Sequence, residues 1–308
     1  MIKTYKSWFL LILLACIWGS SFILMKLGMF TSEGKAIFSD TQVAALRMLI
    51  AALALLPFAI KALNKLKSWR NLLLLTLVGF AGNFFPAFLF TYAETGLSSG
   101  YAGMLNSFVP IFALIIGFVV FKNKLTALQV SGIAIGTVGI ILLTLSGADL
   151  SLSGSWTHVG AILIATLCYA ISVNTIKYTL QHLSGLEITA LSFMLTIVPS
   201  IIINLYSGTV ETIQTNEYAY QGLGFIIILS VVGTAFAVVL FNVLISNSSV
   251  LFASSVTYLI PVVAVIIGLS FNEHINIYQI GSMAIVLTGV FVANVLGKKK
   301  LRQQSRTD

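Results

Sequence analysis

The sequence predicts an all-α integral membrane protein, with ten transmembrane helices arranged as two inverted five-helix repeats. Three observations predict it. The 308-residue chain is 58% hydrophobic and 8% charged, with a mean hydropathy of +1.02. That is too little charge to cover a water-facing surface of this size. Apolar runs of about 20 residues, the length that crosses a bilayer, recur between short polar breaks. The chain also matches itself when displaced: Gly82 falls on Gly233, an offset of 151 (233 − 82), and the match continues along the chain.

Taken in order, the spans lie at roughly 8–29, 41–60, 71–93, 98–121, 126–146, 158–180, 186–206, 222–245, 250–271 and 276–297. The chain begins MIKTYKSWFLLILLACIWGSSF, a basic start like that of a signal peptide. Its apolar run continues past Trp18 to about Met29, so it reads as an uncleaved first helix. Residues 1–297 form one transmembrane domain, with repeat one at 1–149 and repeat two at 150–297. Residues 298–308, KKKLRQQSRTD, read as a disordered basic tail. Cys16 and Cys168 lack metal-type spacing and read as small buried hydrophobes without a disulfide.

Charge sets the orientation. With the N-terminus inside, the inner segments hold Lys3, Lys6, Lys61, Lys65, Lys67, Arg70, Lys122, Lys124, Lys177, Lys298, Lys299, Lys300, Arg302 and Arg306, or 14 of the 17 basic residues. Outer loops hold only Lys35. This predicts cytoplasmic N- and C-termini in a cell (inner) membrane, and so an even number of spans. The net charge of +8 is therefore an orientation signal. No aromatic-interleaved basic face is present, so a nucleic-acid partner is excluded.

Two apolar spans carry a proline behind a polar residue. MLNSFVPIF (104–112) falls on SVTYLIPVV (255–263) at the same offset, Asn106 on Thr257 and Pro110 on Pro261. Each proline removes a helix bond and frees the carbonyl four residues earlier. An unsatisfied backbone group at membrane depth survives only against protein or a wet cavity. An odd number of spans per repeat inverts the second copy. Inverted repeats with interrupted helices point to a secondary transporter whose site lies near the midplane.

The first-span pattern ACIWGSSFILMKLG (15–28) and the segments 98–145 and 249–295 resemble the drug/metabolite transporter superfamily, in its ten-span EamA-type branch. The later segments share small polar residues, a central proline and a Gln-led helix, at Gln129 and Gln279. The acidic residue after the proline span is Glu273 in half two, and Lys122 stands as its half-one counterpart. The resemblance implies a carrier of small metabolites, often an amino-acid exporter, with a cavity lined by spans one, three, four, six, eight and nine.

Polar or aromatic residues near the middle of those spans are Trp18, Ser21, Asn83, Asn106, Tyr169, Ser172, Thr234, Thr257 and Tyr258. Four pairs match across the repeat: Trp18/Tyr169, Ser21/Ser172, Asn83/Thr234 and Asn106/Thr257. Such a set suits a polar substrate with an apolar side chain. The alternative is that these groups bond across helices to one another, with no substrate involved. Arg47 lies about a turn and a half into the second span, where it either neutralises Asp40 or a substrate carboxylate, or snorkels to the interface. Lys26 and Lys177 are repeat-related and suit gating contacts at the two mouths, or snorkelling. Glu94, at the outer end of the third span, is the carboxylate nearest the expected cavity.

No Asp or Glu lies at mid-depth in any predicted span. The sequence therefore points away from cationic drugs, toward a neutral or zwitterionic substrate, with no need of a proton gradient. The three histidines lie at span ends, which leaves no base beside a serine and argues against an intramembrane enzyme. No cofactor or metal is expected. The expected partners are a small-molecule substrate and the lipid bilayer. A channel-like uniporter or a transporter-like receptor is the alternative function, and the oligomeric state stays open, a monomer included.

Overall fold

The computed structural model describes residues 2–123, 125–147, 155–247 and 256–293. Each predicted span coincides with helix. In order these are α1 (Ile2–Met29), α2 (Asp40–Lys61), α3 (Trp69–Glu94), α4 (Ser99–Val119), α5 (Ala127–Gly147), α6 (Ser155–Thr179), α7 (Gly185–Tyr206), α8 (219–247), α9 (Val256–Ser270) and α10 (Ile277–Phe291). Among the described residues, seven helices are long and apolar enough to cross a membrane, and α5, α9 and α10 contribute shorter apolar stretches. Large apolar side chains such as Phe9, Leu53, Trp69, Leu205 and Ile266 point outward, as expected where the surrounding solvent is lipid. Cys16 is among the outward residues and Cys168 is half-buried, so the expectation that both are buried is corrected; both are free thiols. In a bilayer, a small hydrophobe is as well placed against lipid as inside.

Helix starts are set by local chemistry. Ser39 with Gln42, Ser184 with Glu187, and Asn276 with Gln279 form reciprocal caps, each side chain satisfying the other residue's backbone N–H. Thr126 and Gln129 do the same at α5: the Thr126 N–H donates to Gln129 Oε1 at 2.9 Å and the Gln129 N–H to Thr126 Oγ1 at 3.2 Å. The repeated glutamines Gln129 and Gln279 thus anchor helix ends. The turns before them also match, with Lys122 (φ 53°) and Asn272 (φ 59°) both left-handed.

The two halves interlock. Helix α1 packs on α8 and α9, α6 packs on α3 and α4, and α2–α7, α4–α9 and α5–α10 form the remaining main pairs. Exchanging the halves maps this pattern onto itself. At the α5–α10 crossing, a Cβ on Gly289 would stand 2.3 Å from the Gly136 nitrogen; only glycine lets these backbones touch. The largest apolar cluster draws mainly on α1, α3, α4, α6, α8 and α9, from Leu14 and Phe90 to Leu105, Ile162, Leu229 and Ile260.

Several irregularities sit inside this frame. A π-turn interrupts α3 at Phe80–Phe84 and another interrupts α8 at Val231–Phe236, at the repeat offset (231 − 80 = 151). Helix α4 opens at Ser107–Phe108, ahead of Pro110, where the Phe108 N–H reaches back only three residues to Leu105 at 3.2 Å. Helix α9 runs on through Pro261. Helix α7 opens at 195–196, a break the sequence did not announce.

Candidate functional site

The predicted site residues divide by what holds them. Trp18 packs on Phe241 at 5.1 Å and Tyr169 on Phe90 at 6.0 Å between ring centroids, both pairs with tilted rings. The two pairs are repeat images of each other, one joining α1 to α8 and the other α6 to α3. Ser21 and Ser172 are buried at helix crossings. A Cβ on Gly233 would stand 3.0 Å from Ser21 Oγ, and one on Gly82 would overlap Ser172 Oγ. Ser21 Oγ donates to the Ile17 carbonyl at 2.9 Å. Both serines therefore lie in the packing between α1 and α8 and between α6 and α3.

Asn83, in the α3 π-turn, and Asn106, at the α4 break, are half-exposed, and among the described residues no protein group bonds either amide. An amide left open at mid-helix is tolerable only beside water or a ligand. Thr257 is half-buried and partnered. Tyr258 lies on α9, and its side chain is outside the described residues.

Arg47 turns inward. Its Nε donates to Thr234 Oγ1 at 2.9 Å and a terminal nitrogen lies 3.5 Å from Met25 Sδ. Thr234, in the α8 π-turn, is buried and passes a hydrogen bond to the Leu229 carbonyl at 2.9 Å. Among the described residues no carboxylate pairs with Arg47, so it neither neutralises Asp40 nor snorkels away from the bundle. Tyr169 and Glu94 are near enough to interact with its charge.

Glu94 is 1% exposed, and among the described residues neither carboxyl oxygen has a hydrogen-bond partner; the Ser99 hydroxyl is likewise buried and unpartnered. It lies within the electrostatic reach of Lys26, Glu273 and Arg47. Lys26 is committed elsewhere: its Nζ pairs with Glu273 Oε1 at 3.0 Å. Glu273 also accepts the backbone N–H of Ser99 at 2.9 Å and of Gly100 at 3.1 Å. Burial alone would raise this carboxyl, but the two N–H donors and the Lys26 ammonium hold it below its ordinary 4.5. The pair thus ties α1, the start of α4 and the α9–α10 turn together.

At the opposite end of the bundle, Lys177 is exposed and lies over the Tyr178 ring, 4.8 Å from its centroid. Asn123 Nδ2 donates to the Tyr178 hydroxyl at 2.6 Å. The turn geometry revises one expectation: the Asn123 N–H bonds the Gly117 carbonyl at 3.0 Å as the Glu273 N–H bonds that of Gly268 at 2.9 Å. Asn123, not Lys122, is the counterpart of Glu273, because the repeat offset drops to 150 within the turn. Sequence reasoning also passed over Met25 and Asn174. The Asn174 amide bridges α6 to the Ala113 carbonyl of α4 at 3.0 Å. Among the described residues no three His, Cys, Asp or Glu side chains gather as metal ligands.

A model of the EamA-like transporter family matches the chain twice, over residues 6–145 and 156–295. The "Uncharacterized inner membrane transporter YedA" of Escherichia coli (strain K12) is 30% identical over 254 residues, covering 82% of this chain and 78% of that protein. An "Uncharacterized transporter" of Archaeoglobus fulgidus is 24% identical over 93% of this chain and 98% of its own. The chloroplastic "WAT1-related protein At3g02690" of Arabidopsis thaliana is 23% identical over 94% of this chain and 70% of its own. One solved crystal structure shares the fold, with a TM-score of 0.62 at 12% identity over 96% of this chain and 98% of that one.

Proposed function

The chain belongs to the EamA-like transporter family, and on that premise we propose that it is a secondary transporter exporting small neutral or zwitterionic metabolites, such as amino acids, by alternating access. The observation that carries the reading is the set of open polar groups inside an apolar bundle. Asn83 and Asn106 have no protein partner among the described residues, and Arg47 points inward without a carboxylate. Groups of this kind at membrane depth mark a substrate path. The Trp18 and Tyr169 rings, packed on Phe241 and Phe90, suit an apolar substrate portion. The two π-turns fall at the same level of the sequence repeat, and irregular turns of this kind in both halves suit rocking of one half against the other, which would open each end in turn.

In this proposal both termini are cytoplasmic in a cell inner membrane, the Glu94 end faces outward and the Lys177 end faces the cytoplasm. Counterflow in proteoliposomes tests the carrier reading. Unlabelled amino acid on one side should accelerate entry of the labelled form from the other. Linear, unsaturable flux with no trans-stimulation would identify a channel instead.

A further inference from the structure

Arg47, Tyr169 and Glu94 have bonding capacity that no group among the described residues fills. Both Glu94 oxygens are buried and unpartnered. The Tyr169 hydroxyl, half-buried, has no hydrogen-bond partner among the described residues. Arg47 places its Nε on Thr234 and one terminal nitrogen on a methionine sulfur, which leaves most of the five donors of a guanidinium unused. Arg47 feels both of the other groups, yet no ion pair joins it to Glu94. Contacts place the three in one neighbourhood: Arg47 reaches Met25, the residue before Lys26, and the Tyr169 ring packs on Phe90, one helical turn before Glu94.

We infer that Arg47, Tyr169 and Glu94 clamp the two charged ends of an α-amino-acid-type zwitterion, the guanidinium and phenol taking its carboxylate and the Glu94 carboxylate its ammonium. This rests on the reading of the protein as a carrier of neutral or zwitterionic metabolites. The donor types fit: a guanidinium offers a planar fork to a carboxylate, and a buried carboxylate needs a cationic donor. Lys26 does not supply that donor, because Glu273 holds it at 3.0 Å. The charge count fits as well. Two basic side chains, Lys26 and Arg47, stand against two acidic ones, Glu94 and Glu273, so a ligand carrying one positive and one negative charge keeps the numbers equal. A zwitterion preserves that balance, whereas a net cation or anion leaves an uncompensated charge inside the membrane. Arg47, half-exposed, is the group a ligand meets first. The Glu94 oxygens are sealed in this conformation, so side chains around them shift to admit the ammonium.

The test uses the purified full chain and thermal-shift and calorimetric titration with the twenty L-α-amino acids, their N-acetyl derivatives, which lack the ammonium, and their amides, which lack the carboxylate. Any amino acid that stabilises the wild type should bind about tenfold or more tightly than both of its derivatives, the loss expected for one charge-assisted bond. Glu94→Gln should weaken the amino acid by a similar factor and erase the discrimination against the N-acetyl form. Arg47→Gln should erase the discrimination against the amide. If the wild type binds both derivatives as well as the parent, the clamp is wrong whatever the variants do. If amino acids bind and Glu94→Gln changes nothing, Glu94 holds only a proton, and the clamp is wrong. If no amino acid or derivative shifts the unfolding temperature, the proposed substrate class itself falls.

Discussion

At the Glu94 end of the bundle Lys26 meets a carboxylate; at the other end its repeat counterpart, Lys177, meets an aromatic ring. The backbone around the two is nearly the same. Each has a left-handed residue in the turn, at Lys122 and Asn272, and a backbone bond from the next residue to a helix glycine. What differs is one side chain, Asn123 against Glu273. That difference replaces an ion pair fed by two N–H donors with a neutral amide–phenol bond. The repeat therefore sets where the contact forms, and the residue after the left-handed position sets its chemistry; under the proposed alternating access the two contacts would act as closures of unequal strength. A carrier needs two ends that open alternately, and unequal closures bias which end stays shut.

The largest effect should come from removing the charged closure. Glu273→Ala strands Lys26 and two N–H groups, and should cost about 2–4 kcal/mol of apparent stability. Thermal unfolding in detergent, run alongside Lys26→Met and the double variant, should show strong coupling between the two positions. A cost no greater than that of the matching change at Asn123 would erase the proposed difference between the ends. Acid should expose the same asymmetry more mildly. The Glu273 carboxyl is held below its ordinary 4.5 in the folded protein. Its contribution is thus complete above the unfolded value and is lost as pH falls through the folded one. The wild type should lose more stability than Glu273→Gln on acidification below about pH 4.5; other carboxyls titrate in both proteins and cancel from the comparison. Parallel pH profiles would remove the charge pair from the account. The smallest effect belongs to Asn123→Ala, which deletes one hydrogen bond near the surface and should cost about 0.5–1.5 kcal/mol, with little dependence on pH.

Much of this was legible in the sequence. Apolar run lengths located the helices, seven of them long and apolar enough to span among the described residues, because a bilayer demands about 20 such residues each time. The 151-residue offset matched Trp18 with Tyr169, and the structure gives each a ring partner that is itself repeat-related, Phe241 and Phe90. The π-turns were not legible: FAGNF and VVGTAF contain no residue that forbids an ordinary helix, and the close packing of Gly82 on Ser172 and of Gly233 on Ser21 shows only in three dimensions. Nor was Arg47's direction, since nothing within α2 says whether a long side chain reaches out to water or in to Thr234 on a helix nearly 190 residues away. Gln129 and Gln279 drew attention as a shared motif, and their physical role proved to be helix capping. Lys122 and Glu273 were matched one residue out of step, an error that only the turn hydrogen bonds expose.

The contact between α5 and α10 has a consequence of another kind. Gly136 and Gly289 lie in corresponding helices of the two halves and press backbone against backbone. A face that packs on its own copy is what two separate five-helix chains, inserted in opposite orientations, would use to associate. Joining the halves in one chain raises their effective concentration for that contact. Expressed as two fragments divided within residues 148–154, the halves should co-purify through it, and a bulky residue at Gly289 should separate them.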